Sequence, residues 1–162
     1  GQRWFDATVT GQDAHAGPTP LPMRRDALLA ASRVVQLVRA IAAEAPDYAR
    51  GTVGQLFVHP NSRNVIPGRV EFTVDLRNAR DETLDAMAAR LRADVARIAA
   101  EERVTIDLRE VVYFPPCAFD PQLVAGIGQL TCESTQKDPA TPATTSSSTA
   151  ALPQRTYGVA PP

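Results

Sequence analysis

Residues Arg69 to Arg77 alternate without interruption, with Val70, Phe72, Val74 and Leu76 on one side and Glu71, Thr73, Asp75 and Arg77 on the other. Period-two alternation marks a strand buried on one face only. Arg3 to Thr10 carry the same pattern, with Phe5, Ala7 and Val9 opposite Trp4, Asp6, Thr8 and Thr10. Thr52 to Val58 supply a further strand, and Val104, Ile106 and Leu108 alternate as a fourth. The fold must cover one side of this sheet and leave the other to solvent or to another surface.

Two amphipathic helices provide the cover. From Arg24 to Glu44, Leu28, Ala31, Val35, Val38 and Ala42 recur at helical spacing among alanines, and no Gly or Pro interrupts before Pro46. A second helix runs from an N-cap at Asp81 to Arg103, with Leu84, Met87, Leu91, Val95 and Ile98 at steps of three and four. The order strand, helix, strand, strand, helix, strand predicts an α+β fold: a ferredoxin-like βαββαβ sandwich, with a four-stranded antiparallel sheet and two helices on one face.

Beyond Val112, Tyr113-Phe114-Pro115-Pro116 read as an extended exit and Asp120-Pro121 as the start of a third helix. The expected organisation is a domain over 1–112, an exit segment over 113–130 and an aberrant tail over 131–162. Pro139 to Ala150 is almost entirely Pro, Ala, Thr and Ser, which cannot build a core, so the tail is expected to be disordered or read from a shifted frame.

With 162 residues, 44% of them hydrophobic, the chain suits one small core. Its 17 basic and 18 acidic residues leave a formal charge of -1, which gives no electrostatic footprint for nucleic acid or an anionic membrane. RNA binding on the open sheet also lacks the paired aromatics it would need. No apolar run of about 18 residues and no leader-like segment stands out, so neither a membrane span nor a signal peptide is expected. Cys117 and Cys132 are too few for a disulfide framework, and a cytoplasmic location is expected. The chain opens directly in strand-like sequence and reads as a piece of something longer.

Chemistry concentrates in two loops and one strand end. Gly11-Gln12-Asp13-Ala14-His15-Ala16-Gly17-Pro18-Thr19-Pro20 sets one of only two histidines in a glycine-bounded turn between strand and helix. Taken alone, His15 reads more often as an incidental surface residue than as a placed imidazole. Pro60-Asn61-Ser62-Arg63-Asn64-Val65-Ile66-Pro67-Gly68 is a polar, proline-framed hairpin connection, and Arg77 ends the strand that follows. Asn64 could hold a turn through its side chain, and Arg77 could pair with Asp75 or Glu71. His15 and His59 have no carboxylate or thiolate at ligand spacing, so this chain is expected to bind no metal itself. Neither Gly-x-Ser-x-Gly nor a phosphate-cradling glycine loop occurs. Met23, Met87 and Trp4 suit core or interface packing.

The wording of these segments goes further than their spacing. Gly1-Gln2-Arg3-Trp4-Phe5, Gly11 to Gly17, Met23-Arg24-Arg25-Asp26-Ala27, Pro60 to Gly68 and Phe72-Thr73-Val74-Asp75-Leu76-Arg77 resemble, in order and spacing, the carbamoylase branch of the M20 metallohydrolases. That branch comprises N-carbamoyl-L-amino acid hydrolases, β-ureidopropionases and allantoate amidohydrolases. The resemblance covers Gly1 to about Val124 and corresponds to the lid, or dimerisation, domain. It implies a homodimer acting on ureido or carbamoyl amino acids, with two divalent metal ions (Zn, Mn, Co or Ni) held by the catalytic domain. It further implies that His15 reaches the partner subunit's active site as an oxyanion donor, and that Asn64 and Arg77 bind the substrate carboxylate. This fragment alone is expected to be inactive. A rival from another class is a non-catalytic dimerisation or small-molecule-binding module, since such folds host many functions.

The tail permits a direct test. If Thr141-Pro142-Ala143-Thr144-Thr145 is encoded as ACG CCG GCC ACG ACG, reading from the third base gives Ala-Gly-His-Asp, the type of metal-ligand motif the resemblance places after the lid. Sequencing the coding DNA is expected to spell a histidine in that alternative frame; its absence removes the frame-shift reading.

Overall fold

The computed structural model describes residues 1–46 and 48–127, so the tail expected over 131–162, and Cys132 with it, lie outside the described residues. The chain divides into two compact units, Gly1–Ala118 and Phe119–Pro162. In the first, the elements run β1 (Gln2–Thr10), β2 (Ala14–His15), a short 3-10 turn (Leu21–Met23), α1 (Ala27–Glu44), β3 (Arg50–His59), β4 (Val65–Ile66), β5 (Arg69–Arg77), α2 (Asp81–Glu102) and β6 (Thr105–Phe114). Four strands form one antiparallel sheet in the order β3-β5-β1-β6, while β2 and β4 make a separate two-stranded ribbon. The α+β class expected from the sequence is the one observed.

The alternating residues fall as their period requires. Phe5, Ala7 and Val9 of β1 and Val70, Phe72, Val74 and Leu76 of β5 are buried, and they pack with Leu84, Met87, Leu91, Val95 and Ile98 of α2. Met87 is buried in the core, whereas Trp4 and Met23, 40% and 71% exposed, lie outside it.

Helix α1 differs in both start and face. It begins at Ala27, three residues later than expected, because Asp26 caps it: its Oδ1 accepts the N–H groups of Leu28 (2.9 Å) and Leu29 (3.0 Å). The buried stripe is Ala27, Ala30, Ala31, Val34, Val38 and Ile41, whereas Leu28 is 36% exposed and Val35 is only partly buried. Small residues on that stripe let the helix lie close to the sheet. Gly51 of β3 completes the approach, since a Cβ there would stand 2.6 Å from the Val38 carbonyl oxygen.

Helix α2 begins at Asp81, but that residue is not its cap. The N-cap position is Arg80, with no side-chain bond, and the Asp81 carboxylate accepts instead from the Tyr113 hydroxyl at 2.7 Å. The turn before the helix is held by Asn78, 5% exposed, whose Oδ1 accepts the Arg80 N–H (2.8 Å) and whose Nδ2 donates to the Pro46 carbonyl (2.9 Å). Arg103 ends α2 in the left-handed region, with φ 56. Strand β6 runs on to Phe114, taking in Tyr113 and Phe114 of the expected exit segment, with an irregularity opposite Trp4 and Phe5. Strand β3 carries a bulge between Val53 and Leu56. Among the described residues no helix is long and apolar enough to cross a membrane.

Within the second unit, residues 121–127 are helical, and the Asp120 carboxylate caps them by accepting from Gln122 (2.7 Å) and Leu123 (3.3 Å).

The contrast between two glycines of β3 tests the packing. Gly51→Ala is expected to cost about 1–3 kcal/mol, because helix and strand must separate. Gly54→Ala is expected to be mild, its nearest neighbour being Thr73 Oγ1 at 4.0 Å. Urea denaturation of the two variants reads the difference, and equal losses would remove the close-approach argument.

Candidate functional site

Strands β1 and β5 pair along their whole length, from Gln2 opposite Arg77 to Thr10 opposite Arg69. At the Thr10 end both chains leave the sheet together. The Gly11 N–H donates to the Gly68 carbonyl at 2.7 Å. A Cβ on Gly11 would meet the Arg25 carbonyl oxygen at 2.1 Å, and one on Gly68 the Asp13 nitrogen at 2.5 Å, so only glycine fits either position. Three further bonds lock the loops: Gly68 N–H to Asp13 Oδ1 (2.6 Å), Gln12 N–H to the Arg25 carbonyl (2.9 Å) and Ala27 N–H to the Pro67 carbonyl (3.0 Å).

From this knot the β2–β4 ribbon projects. Ala14 pairs with Ile66 and His15 with Val65, and the Ala16 N–H donates to the Asn64 carbonyl at 2.8 Å. His15 and Asn64, from loops 49 residues apart in sequence (64 minus 15), thus share one exposed tip.

Local bonds define what each can offer. The Gly17 N–H donates to His15 Nδ1 at 3.1 Å, so that nitrogen carries a lone pair and the neutral ring holds its proton on Nε2. A Cβ on Gly17 would come within 3.3 Å of the ring. The Thr19 hydroxyl donates to the His15 carbonyl at 2.7 Å. Across the tip, the Ser62 hydroxyl donates to Asn64 Oδ1 at 3.0 Å, and the amide Nδ2 of Asn64 has no partner among the described residues. Asn61 opens this turn at φ 55, a conformation asparagine tolerates well. The tip therefore presents an imidazole N–H and an amide N–H, both donors.

Arg77 lies elsewhere. It stands at the opposite end of β5, beside Gln2 and Arg50, eight residues from Arg69 and therefore about 26 Å from it at about 3.3 Å per residue. Its guanidinium forks onto Asp75, with Nε at 3.1 and 3.0 Å from the two carboxylate oxygens and Nη2 at 2.7 Å from Oδ2. That hydrogen bond, with the Asp75 charge behind it, raises the Arg77 pKa above its ordinary value. The structure thus brings His15 and Asn64 together and holds Arg77 apart. His59 Nε2 sits 3.6 Å from Glu71 Oε2 on the exposed face, while Arg69 is the main cause of the lowered Glu71 pKa. Among the described residues no three His, Cys, Asp or Glu side chains gather as metal ligands.

Two residues escaped sequence reasoning. Asp13 ties the loops, and Arg24 donates from Nε to the Thr19 carbonyl (3.0 Å) and from Nη2 to the Ala16 carbonyl (2.9 Å). Had the helix begun at Arg24, as its periodicity predicts, Arg24 would have been a surface residue; the later start puts it in the loop.

Fold and loops together define a two-layer α+β domain that carries hydrogen-bonding groups at both ends of one strand. A model of the M20 peptidase dimerisation domain matches residues 1–103, and the chain belongs to that family. It is 45% identical over 121 residues to an N-carbamoyl-L-amino-acid amidohydrolase of Rhizobium meliloti, covering 75% of this chain and 29% of the relative. It is 31% identical over 134 residues to an allantoate amidohydrolase of Bacillus subtilis, covering 83% and 32%. Among solved structures, an amidase of the hydantoinase/carbamoylase family from Burkholderia multivorans matches with a TM-score of 0.79 and 52% identity, covering 83% of this chain and 33% of that one. The chain spans about a third of the length of these relatives.

Asp13→Ala leaves the Gly68 N–H without its charged acceptor and is expected to cost about 1.5–3 kcal/mol, read by thermal unfolding together with loss of amide protection at Gly68. Protection unchanged in the variant would mean that the loops are held without Asp13.

Proposed function

We propose that this chain is the lid and dimerisation part of a metal-dependent amidohydrolase cleaving linear C–N bonds of N-carbamoyl amino acids or related ureido acids. The observation that carries the reading is the tip itself: His15 held with Nδ1 as acceptor and Nε2 as donor, beside Asn64 with free amide donors. Such donors suit a negative oxygen developing on a carbonyl under attack, and one fixed donor of this kind is worth about 3–4 kcal/mol. The names of the relatives support this substrate class. The metals would activate the attacking water. The described residues offer no ligand set for them, so that chemistry belongs to a catalytic portion outside the described residues, and no step of this lid runs through it.

The geometry supports a division of these residues between subunits. Arg77 lies beside Gln2, where β1 begins, and β6 ends alongside, with Gln2 opposite Phe114. In a longer chain joined at these two strand ends, Arg77 faces its own catalytic portion and serves that site's carboxylate with its planar fork. His15 and Asn64, on the ribbon beyond the other end of this strand pair, face away from it. In a two-fold dimer they reach the partner's site, so each site takes Arg77 from one subunit and His15 with Asn64 from the other.

Mixed dimers of the full-length protein test this. His15→Ala is expected to lower kcat about 100- to 1,000-fold, and Arg77→Ala chiefly to raise KM. Co-expressing the two variants is expected to restore about a quarter of the sites, since half of randomly mixed dimers carry one intact site. No restoration would place all three residues in one subunit's site. Turnover untouched by His15→Ala would favour the non-catalytic module.

A further inference from the structure

We infer that Arg24 is a positioning residue that sets the orientation and tautomer of His15, an assignment that rests on the catalytic reading of His15 above. The guanidinium of Arg24 takes no carboxylate partner among the described residues; its bonds go to the backbone carbonyls of Ala16 and Thr19, which lie directly after the histidine. Those two contacts bracket Gly17 and Pro18 and fold the segment into a closed turn. Inside the turn, the Gly17 N–H is directed at His15 Nδ1 (3.1 Å), and the Thr19 hydroxyl at the His15 carbonyl (2.7 Å).

Arg24 is itself held in place. Its carbonyl accepts from Arg103 Nη2 at 3.0 Å, at the left-handed end of α2, and its N–H donates to the Leu21 carbonyl at 3.2 Å. Next along the chain, the Arg25 carbonyl accepts from Gln12, on the other side of the histidine. The segment Arg24–Arg25 thus grips the His15 loop both before and after the ring and connects it to the rigid helix layer. A guanidinium is well suited to this role, because its planar fork holds two carbonyls in a fixed geometry, whereas an ammonium is a point charge on a flexible stem. If the turn opens, Gly17 leaves Nδ1, either ring nitrogen can take the proton, and the Nε2–H donor is no longer fixed in direction.

The decisive measurement reads the ring and not the reaction, so it separates this inference from the functional one. In 15N NMR of this chain, His15 is expected as a single neutral tautomer protonated on Nε2, with the Gly17 amide protected from exchange. Arg24→Gln is expected to give averaged Nδ1 and Nε2 shifts and Gly17 exchange at least about tenfold faster, with the sheet amides of β1 and β5 unchanged. Arg25→Gln, an equal change of charge at the adjacent exposed residue, is expected to leave both readouts as in the parent. Should Arg24→Gln fail to fold, Arg24→Lys decides: an ammonium lacks the planar fork that fixes both carbonyls in one geometry, so a partial move toward tautomer averaging is expected. An unmoved tautomer and unmoved Gly17 protection in the folded variant overturn the inference, whatever the enzyme's activity. In the full-length protein, Arg24→Gln is expected to lower kcat with little change in KM. An Arg24→Gln effect on the NMR readouts without any on kcat would uphold the positioning and reject the catalytic use of His15.

Discussion

The antiparallel pairing of β1 with β5 is the constraint from which the remaining architecture follows. Its register puts Phe5, Ala7 and Val9 on the same face as Val70, Phe72, Val74 and Leu76, which creates the surface the helices cover. Because side chains alternate with period two, a slip of one residue would turn that apolar set toward solvent, so burial and register enforce each other. The same pairing delivers Gly11 beside Gly68 at one end and Gln2 beside Arg77 at the other. Both ends of the candidate site are therefore placed by one strand pair, and neither could shift without the core.

Much of this was legible because the core follows simple periods. The extent of β5 and the buried face of α2 were predictable residue by residue, since nothing competes with their hydrophobic pattern. The α1 face was not. Its composition, rich in alanine and valine, supports more than one apolar stripe, and the choice between them depends on Asp26 as cap and on the close approach at Gly51, both of which are tertiary facts. Asp81 shows a related limit: its residue type suits a cap, yet Tyr113, distant in sequence, takes its carboxylate.

The site was legible in part and for a different reason. His15, Asn64 and Arg77 were nominated by a resemblance of motifs, but no pattern along the chain shows that two of them share a tip and the third lies at the far end of β5. The ribbon that joins the first two has only two residues in each strand, too few to show a period. Arg24 and Asp13 were hidden because their partners are backbone groups, for which sequence carries no signal.

The loops at the tip carry a degree of fixation that exposed connections rarely need for stability alone. Two glycines that tolerate no Cβ, a carboxylate on a backbone N–H and a guanidinium on two carbonyls converge on a histidine that is itself exposed. Loops at protein surfaces usually gain freedom, because little buried area opposes their entropy. Holding one still makes physical sense where a donor must already point the right way when charge develops, since reorienting it at that moment would forfeit much of its effect. Among the described residues, though, His15 is exposed at the tip, and the Arg77 guanidinium lies at the far end of β5. A rigid donor with no acceptor among the described residues is what the proposed two-subunit site calls for.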